Sequence, residues 1–123
     1  EHSLGVYHLA DRALAHLDIS GTRADTVRAA ALLHDIGHGP YGHQTEGIIQ
    51  RRLDRHHDDV AHLVSNGEPG AVLAAHGLDP DRVAALVAGH GKLGQLVAGE
   101  LDVDRMDYLV RDAHHTGVPY GTI

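Results

Sequence analysis

The chain has 123 residues, enough for one domain with a modest hydrophobic core. It has no cysteine, which excludes disulfides, thiolate metal sites and thiol catalysis, so any metal must be held through nitrogen and oxygen. The net charge is −7, no basic run stands out, and no apolar stretch approaches the ~20 residues of a membrane span, so nucleic acid and membranes are not expected partners.

Aromatic residues are scarce, with four Tyr and no Phe or Trp, so the core must be built from Leu, Val, Ala and Ile and base-stacking platforms are not expected. No signal-peptide pattern is visible, and a cytoplasmic location is the default expectation.

The chain reads as all helix. Leu4, Tyr7, His8, Asp11 and Leu14 recur at helical spacing and predict a first helix over about 3–17, broken by Gly21. Thr22 followed by Asp25 resembles a capping box with Asp in place of Glu, opening a second helix to about Ile36. Its end, Ala29 to Leu33, is apolar on every face, the pattern of an element buried all round. The glycines and proline of 37–42 cannot continue it. A third helix is predicted over about 43–53, a short fourth from near His57 to Asn66-Gly67, and a fifth over about 70–76. Asp79-Pro80-Asp81 is a helix start, with Asp as N-cap and Pro in the first position, for a sixth helix to about Ala88. A further helix is read over about 92–98, either separate from or continuous with the last, about 100–115. Alternating β patterns, repeats and linkers are absent, and the chain is read as one domain, 1–123.

The stretch Leu33-His34-Asp35-Ile36-Gly37-His38-Gly39-Pro40-Tyr41-Gly42-His43 concentrates imidazole and carboxylate at a helix end. With 13 His and 13 Asp, a His-Asp dipeptide arises by chance, and it occurs at His34-Asp35 and His57-Asp58. Context distinguishes the first pair. A carboxylate closing a buried helix needs a cation or a partner, and adjacent helical residues about 100° apart can both reach one ion beside the helix end. A buried His–Asp hydrogen bond or a cap without metal reads equally well. On the last helix Asp104, Tyr108, Arg111, Asp112 and His115 form a polar stripe, opposite Met106, Leu109, Val110 and Ala113. It is either a solvated face, with Asp107 and Arg111 an ordinary i,i+4 pair, or a face turned to a metal and a phosphate.

Three blocks, in order, carry a resemblance: Glu1-His2-Ser3-Leu4-Gly5-Val6-Tyr7, His34-Asp35-Ile36-Gly37-His38-Gly39-Pro40, and Leu101-Asp102-Val103-Asp104-Arg105-Met106-Asp107-Tyr108 with Arg111-Asp112. Together they resemble the HD-domain phosphohydrolases, in particular the deoxynucleoside triphosphate triphosphohydrolase branch with its dGTPase-like enzymes. The resemblance implies a compact all-α bundle around a central metal site, with this chain the core or a fragment of a longer architecture. It implies one divalent metal ion (Mn, Fe, Zn, Ni, Co or Mg) held by His2, His34, Asp35 and Asp104.

The resemblance also places His38 and His43 near substrate phosphates. It implies that His57 is the general acid, with His56 as the competing register of the His57-Asp58-Asp59 match, and that Glu46 holds its tautomer. Arg105, Tyr108 and Asp112 match positions that contact phosphate and deoxyribose. The implied reaction converts a deoxynucleoside triphosphate to deoxynucleoside and inorganic triphosphate, by a protein that is a candidate homo-oligomer. Two rivals stand beside it: another HD phosphohydrolase acting on a nucleoside monophosphate, cyclic or alarmone phosphate, and a non-catalytic HD-like binding module. His62 and His90 are read as lone histidines rather than a second metal site.

Overall fold

Period-3.6 patterning turns into a helical bundle built on small side chains. The computed structural model describes residues 1–57 and 59–119, and among them all regular structure is helical. The first helix, α1 (His2–His16), buries Val6, Ala10 and Leu14, spaced by four so that they lie on one stripe. It packs against α2 (Gly21–Leu33), which buries Ala24, Val27, Ala30 and Ala31. Alanine and valine at this contact let the two backbones approach closely, which compensates for the missing aromatics.

The next elements are α3 (His43–Leu53), α4 (Ala61–Val64), α5 (Glu68–Ala75), α6 (Pro80–Val87), α7 (Gly91–Val97) and α8 (Val103–Thr116). α6 and α7 pack on α2, α4 packs on α5 and α6, and α8 closes against α1. Val64, Leu73, Val83, Val87, Val97 and Val103 complete a core with α1 and α2. α3 contributes no buried residue and stands over the edge of the cleft described below. No helix among the described residues is long and apolar enough to cross a membrane.

Several local expectations change. The Thr22 capping box does not form: Ser20 is the N-cap, without a side-chain bond, and Gly21 opens α2 with a φ of +68°. Asp25 is instead paired with Arg28, at 2.8 Å. α2 ends at Leu33, and His34 to Gly37 form turns. Nor is its end buried all round. Ala30 and Ala31 are fully buried, but Leu32 is 41% exposed, because α1, α6 and α7 cover only part of the helix surface. The fourth helix begins at Ala61, four residues later than expected, and the fifth begins at Glu68, with Pro69 in its first turn.

Asp79 caps α6 as expected, accepting from the backbone N–H of Asp81 at 3.0 Å. The last two helices are separate. Asp102 divides them by accepting the N–H of Gly99 at 2.9 Å through Oδ2 and that of Arg105 at 2.7 Å through Oδ1. On α8 the buried face is Val103, Asp107 and Ala113, whereas Leu109 and Val110 of the expected apolar stripe are about two-fifths exposed, at 42% and 41%.

Candidate active site

Three helix ends converge on one point. His2 opens α1, His34 and Asp35 follow α2, and Asp104 lies in the first turn of α8. His2 Nε2 lies 3.2 Å from His34 Nε2, 2.9 Å from Asp104 Oδ1 and 3.6 Å from Asp35 Oδ2. His34 Nε2 lies 3.3 Å from Asp35 Oδ1 and 3.6 Å from Asp104 Oδ1.

The opposite ring nitrogens decide what these atoms are for. His2 Nδ1–H donates to Asp107 Oδ2 at 2.7 Å, because a carboxylate can only accept. His34 Nδ1–H donates to the Ala31 carbonyl at 2.8 Å. In the neutral imidazoles both Nε2 atoms therefore present lone pairs, to each other and to two carboxylates. One proton satisfies a single such pair, whereas a divalent cation satisfies the whole set. Metal-bound histidines use this same outer hydrogen bond to fix the tautomer. Bonds of about 2.1 Å to a metal place neighbouring ligand atoms about 3.0–3.4 Å apart, and the separations found here, 2.9 to 3.6 Å, straddle that range. The residues present fit a divalent metal ion, through nitrogen and oxygen alone.

Electrostatics agree with this arrangement. Hydrogen bonding to His34 holds the Asp104 carboxyl below its usual range, against a smaller opposing effect of burial. Burial pushes His34 down, but Asp104, the Ala31 carbonyl and Asp35 together raise it above its ordinary value. Asp35 is not sunk in the core, as its side chain is 41% exposed and opens onto the cleft.

From the sequence Asp107 reads only as the i,i+4 partner of Arg111 on a solvated face; the pair forms, but Asp107 is buried. It is 8% exposed and joins His2 to Arg111, whose Nε lies 3.0 Å from Oδ2. Burial alone would raise its pKa, yet the bonds from Arg111 and His2 hold it below the ordinary range. Gly5 makes the arrangement possible, since a Cβ there would overlap Asp107 Oδ1. The available signal was the i,i+3 spacing of Asp104 and Asp107, which puts both on one helix face.

Beside this cluster lies a second group. His43 Nδ1–H donates to Glu46 Oε1 at 2.8 Å, and His57 Nδ1–H donates to the same oxygen at 2.6 Å. The rings of His38 and His57 stack with centroids 4.4 Å apart. His38 Nε2 lies 3.5 Å from Asp35 Oδ1, so this residue links the two groups. Its Nδ1 is buried without a hydrogen-bond partner among the described residues. Burial, reinforced by neighbouring His57, pushes His38 below its ordinary pKa. Desolvation pushes Glu46 up, but the surrounding histidines, His43 foremost, hold it below the carboxylate range. Gly37 packs where a Cβ would overlap the carbonyl oxygen of His57, and this contact brings the distant segment into the site.

His2, His34, Asp35 and Asp104, with His38, His43 and His57 of the second group, line one cleft of about 660 Å³, together with Val87, Val97 and Tyr108. His57 lines it, while His56 lies outside it, beside Gln50 at 3.3 Å. Arg105 and Asp112 are not among the lining residues. Arg105 reaches back to the Glu100 carbonyl at 2.6 Å, and Asp112 is exposed further along α8. Asp58 lies outside the described residues. No Arg or Lys lines the cleft among the described residues, so an anion bound there must be balanced by a metal and by histidines.

A family model described as HD domain matches residues 1–112, and the chain belongs to the HD domain family. Among relatives, the uncharacterized protein MG461 of Mycoplasma genitalium is 38% identical, over 99% of this chain and 32% of its own length. The deoxynucleoside triphosphate triphosphohydrolase SAMHD1 of Mus musculus is 31% identical, over 96% of this chain and 24% of its own. A solved structure of a hypothetical protein from Aquifex aeolicus superposes with a TM-score of 0.77 at 33% identity, over 98% of this chain and 34% of that one. The chain thus spans about a third or less of the length of each of these proteins.

Proposed function

We propose that this chain carries the catalytic centre of a metal-dependent phosphohydrolase acting on deoxynucleoside triphosphates. The observation that carries the reading is the pairing of two groups in one cleft. Four lone-pair donors, two of them imidazoles with fixed tautomers, sit beside three histidines gathered around a single carboxylate. The similarity to a named deoxynucleoside triphosphate triphosphohydrolase supports this choice of substrate over a monophosphate, cyclic or alarmone phosphate.

A divalent metal held by His2, His34, Asp35 and Asp104 would supply Lewis-acid polarisation of a phosphate oxygen and lower the pKa of a bound water. The chain's own residues do the rest. His38 and His43 face the cleft as donors to phosphate oxygens, without the bulk of an arginine. Glu46 stays ionised and holds the Nδ1–H of His57, leaving Nε2 to carry a proton to the departing 5′ oxygen. The same oxygen of Glu46 holds His43, which makes His43 a second candidate for that acid. Tyr108 lies on the cleft wall, where it can pack against the sugar. Arg105 and Asp112 would need to turn inward to reach substrate.

The test is product analysis with dGTP and added divalent metal, followed by phosphorus NMR. Inorganic triphosphate and deoxyguanosine are expected from the native chain, and loss of both the metal and the activity in Asp35→Ala. Orthophosphate from a monophosphate, with no triphosphate from dGTP, would transfer the site to the rival substrate class. Metal content unchanged by Asp35→Ala would remove the metal assignment itself.

A further inference from the structure

Among the described residues four polar side chains are buried: Thr26, His34, Asp102 and Asp107. His34 and Asp107 belong to the proposed metal site, and Thr26 donates to the Thr22 carbonyl of its own helix at 2.7 Å. Asp102 is left without a part in the reaction, although it lines the same cleft and stands two residues before the proposed ligand Asp104. Burying a carboxylate is costly unless donors surround it, and an exposed Ser or Asn would cap a helix as well.

The donors of Asp102 come from two helices. Oδ1 accepts the Arg105 N–H at 2.7 Å, in the first turn of α8, and Oδ2 accepts the Gly99 N–H at 2.9 Å, just past the end of α7. Both oxygens are thus taken by the backbone, which makes Asp102 an orienting group rather than a further ligand. Apolar burial cannot fix the connection between the helices, since Glu100 is exposed and Leu101 is 71% exposed. The α7 side of the bond is stiff. Gln95 Nε2 donates to the Gly89 carbonyl at 2.8 Å, tying α7 to the turn after α6, and a Cβ on Gly99 would overlap the Gln95 carbonyl oxygen. Val97, Ala98 and Gly99 therefore form a firm stretch of cleft wall.

We propose that Asp102 is a positioning residue for the reaction: through Oδ1 it holds Asp104 toward the metal, and through Oδ2 it holds the Ala98–Gly99 wall in register with that ligand. The inference rests on the metal and the reaction proposed above and deepens them. Without the cap the first turn of α8 frays, and Asp104 lies in that turn. Without the second bond both helices keep their buried faces, but the wall between them is free to move. The two tasks need two acceptor oxygens, which a carboxylate has and an amide or a hydroxyl lacks.

The experiment compares Asp102→Asn, Asp102→Ser and Asp102→Ala in the whole chain. Metal affinity is read by competition with a chelator, kcat and KM by triphosphate release from dGTP, and the Gly99 amide by hydrogen exchange, with circular dichroism as the check on fold. In Asp102→Asn the remaining oxygen keeps the Arg105 cap while an NH₂ group faces Gly99. Metal Kd should stay within about threefold, the Gly99 amide should exchange about tenfold faster or more, and KM should rise more than kcat falls. In Asp102→Ala the metal Kd should rise as well, by about tenfold, as for a lost outer partner. Asp102→Ser can cap but is too short to reach Gly99, so it should follow Asp102→Asn and covers the case in which Asp102→Ala misfolds. A purely structural cap would lower stability in all three without parting metal affinity from KM. Metal affinity unchanged in folded Asp102→Ala overturns the proposal, as does a Gly99 amide unmoved in Asp102→Asn and Asp102→Ser. These two readouts hold whatever the substrate. A native chain that takes up no metal removes the reading beneath the proposal, and the proposal with it, before any variant is compared.

Discussion

Asp107→Asn isolates the device that gives His2 its lone pair. The substitution keeps the side chain's size and burial but removes the charge that accepts the His2 Nδ1–H at 2.7 Å and the Arg111 bonds at 3.0 and 3.1 Å. An amide has one oxygen, and His2 Nδ1 and Arg111 Nε share Oδ2, so an amide that keeps its oxygen at Oδ1 for the Arg111 Nη2 turns its N–H groups to His2. If one of these meets His2 Nδ1, the proton of the imidazole moves to Nε2, the atom 2.9 Å from Asp104 and 3.2 Å from His34. One of the four donors is then blocked. Losing such an outer partner weakens metal binding by about 10–100-fold, or roughly 1.4–2.7 kcal/mol. The assay is competition with a chelator of known affinity, with circular dichroism as the check on fold. Arg111→Gln is the control, because it leaves the carboxylate to His2 and should cost less than Asp107→Asn. A Kd changed by under about threefold in folded Asp107→Asn would refute the reasoning, since the tautomer would then be set by something else.

Metal affinity should fall with pH from a point above 6.5. The proton and the metal compete for His34 Nε2, and the neighbours of His34 raise its pKa above that ordinary value. The metal-free protein has the opposite dependence: its charged His34–Asp104 pair stabilises fully below about 6.5 and is lost as pH rises through the raised value. Thermal melts with and without chelator across pH 6–8 should therefore converge at the acid end. Gly37→Ala puts a Cβ onto the His57 carbonyl, with an expected loss of about 1–3 kcal/mol in urea unfolding and a displaced His57; unchanged stability would mean that the segment relaxes freely. Glu46→Gln should leave metal content intact while lowering kcat on dGTP by about 10²-fold, since it frees two imidazoles but touches no proposed ligand. Loss of metal instead would join the two groups into one site.

The bundle was legible because helical signals here are local. The period of Val6, Ala10 and Leu14, the Asp79-Pro80 start and the glycine-rich break after Ile36 each act within a few residues. The proposed ligands were named through a resemblance of three sequence blocks, as the dipeptide His34-Asp35 alone carries no information. What escaped was what depends on packing between distant segments. Asp107 looks like a surface acid until Gly5 brings α1 against it. His57 was the better match in sequence and His56 its competing register, and the two are told apart in space where Gly37 meets the His57 backbone. The Thr22 box failed because Gly21 can begin a helix with a positive φ that no pattern of capping residues reveals.

The bond between His2 and Asp107 joins residues 105 positions apart. It gives the proposed metal centre a place in the order of folding. α1 and α2 meet through a short connection, so their contact can form early, whereas His2 and Asp104 become neighbours only after α8 has closed the longest loop in the chain. The donor set is therefore among the last structures completed. A metal that binds it captures the closed chain, and the free energy of binding is added to that of folding. Opening of α8 from α1 would then set the rate at which the metal leaves.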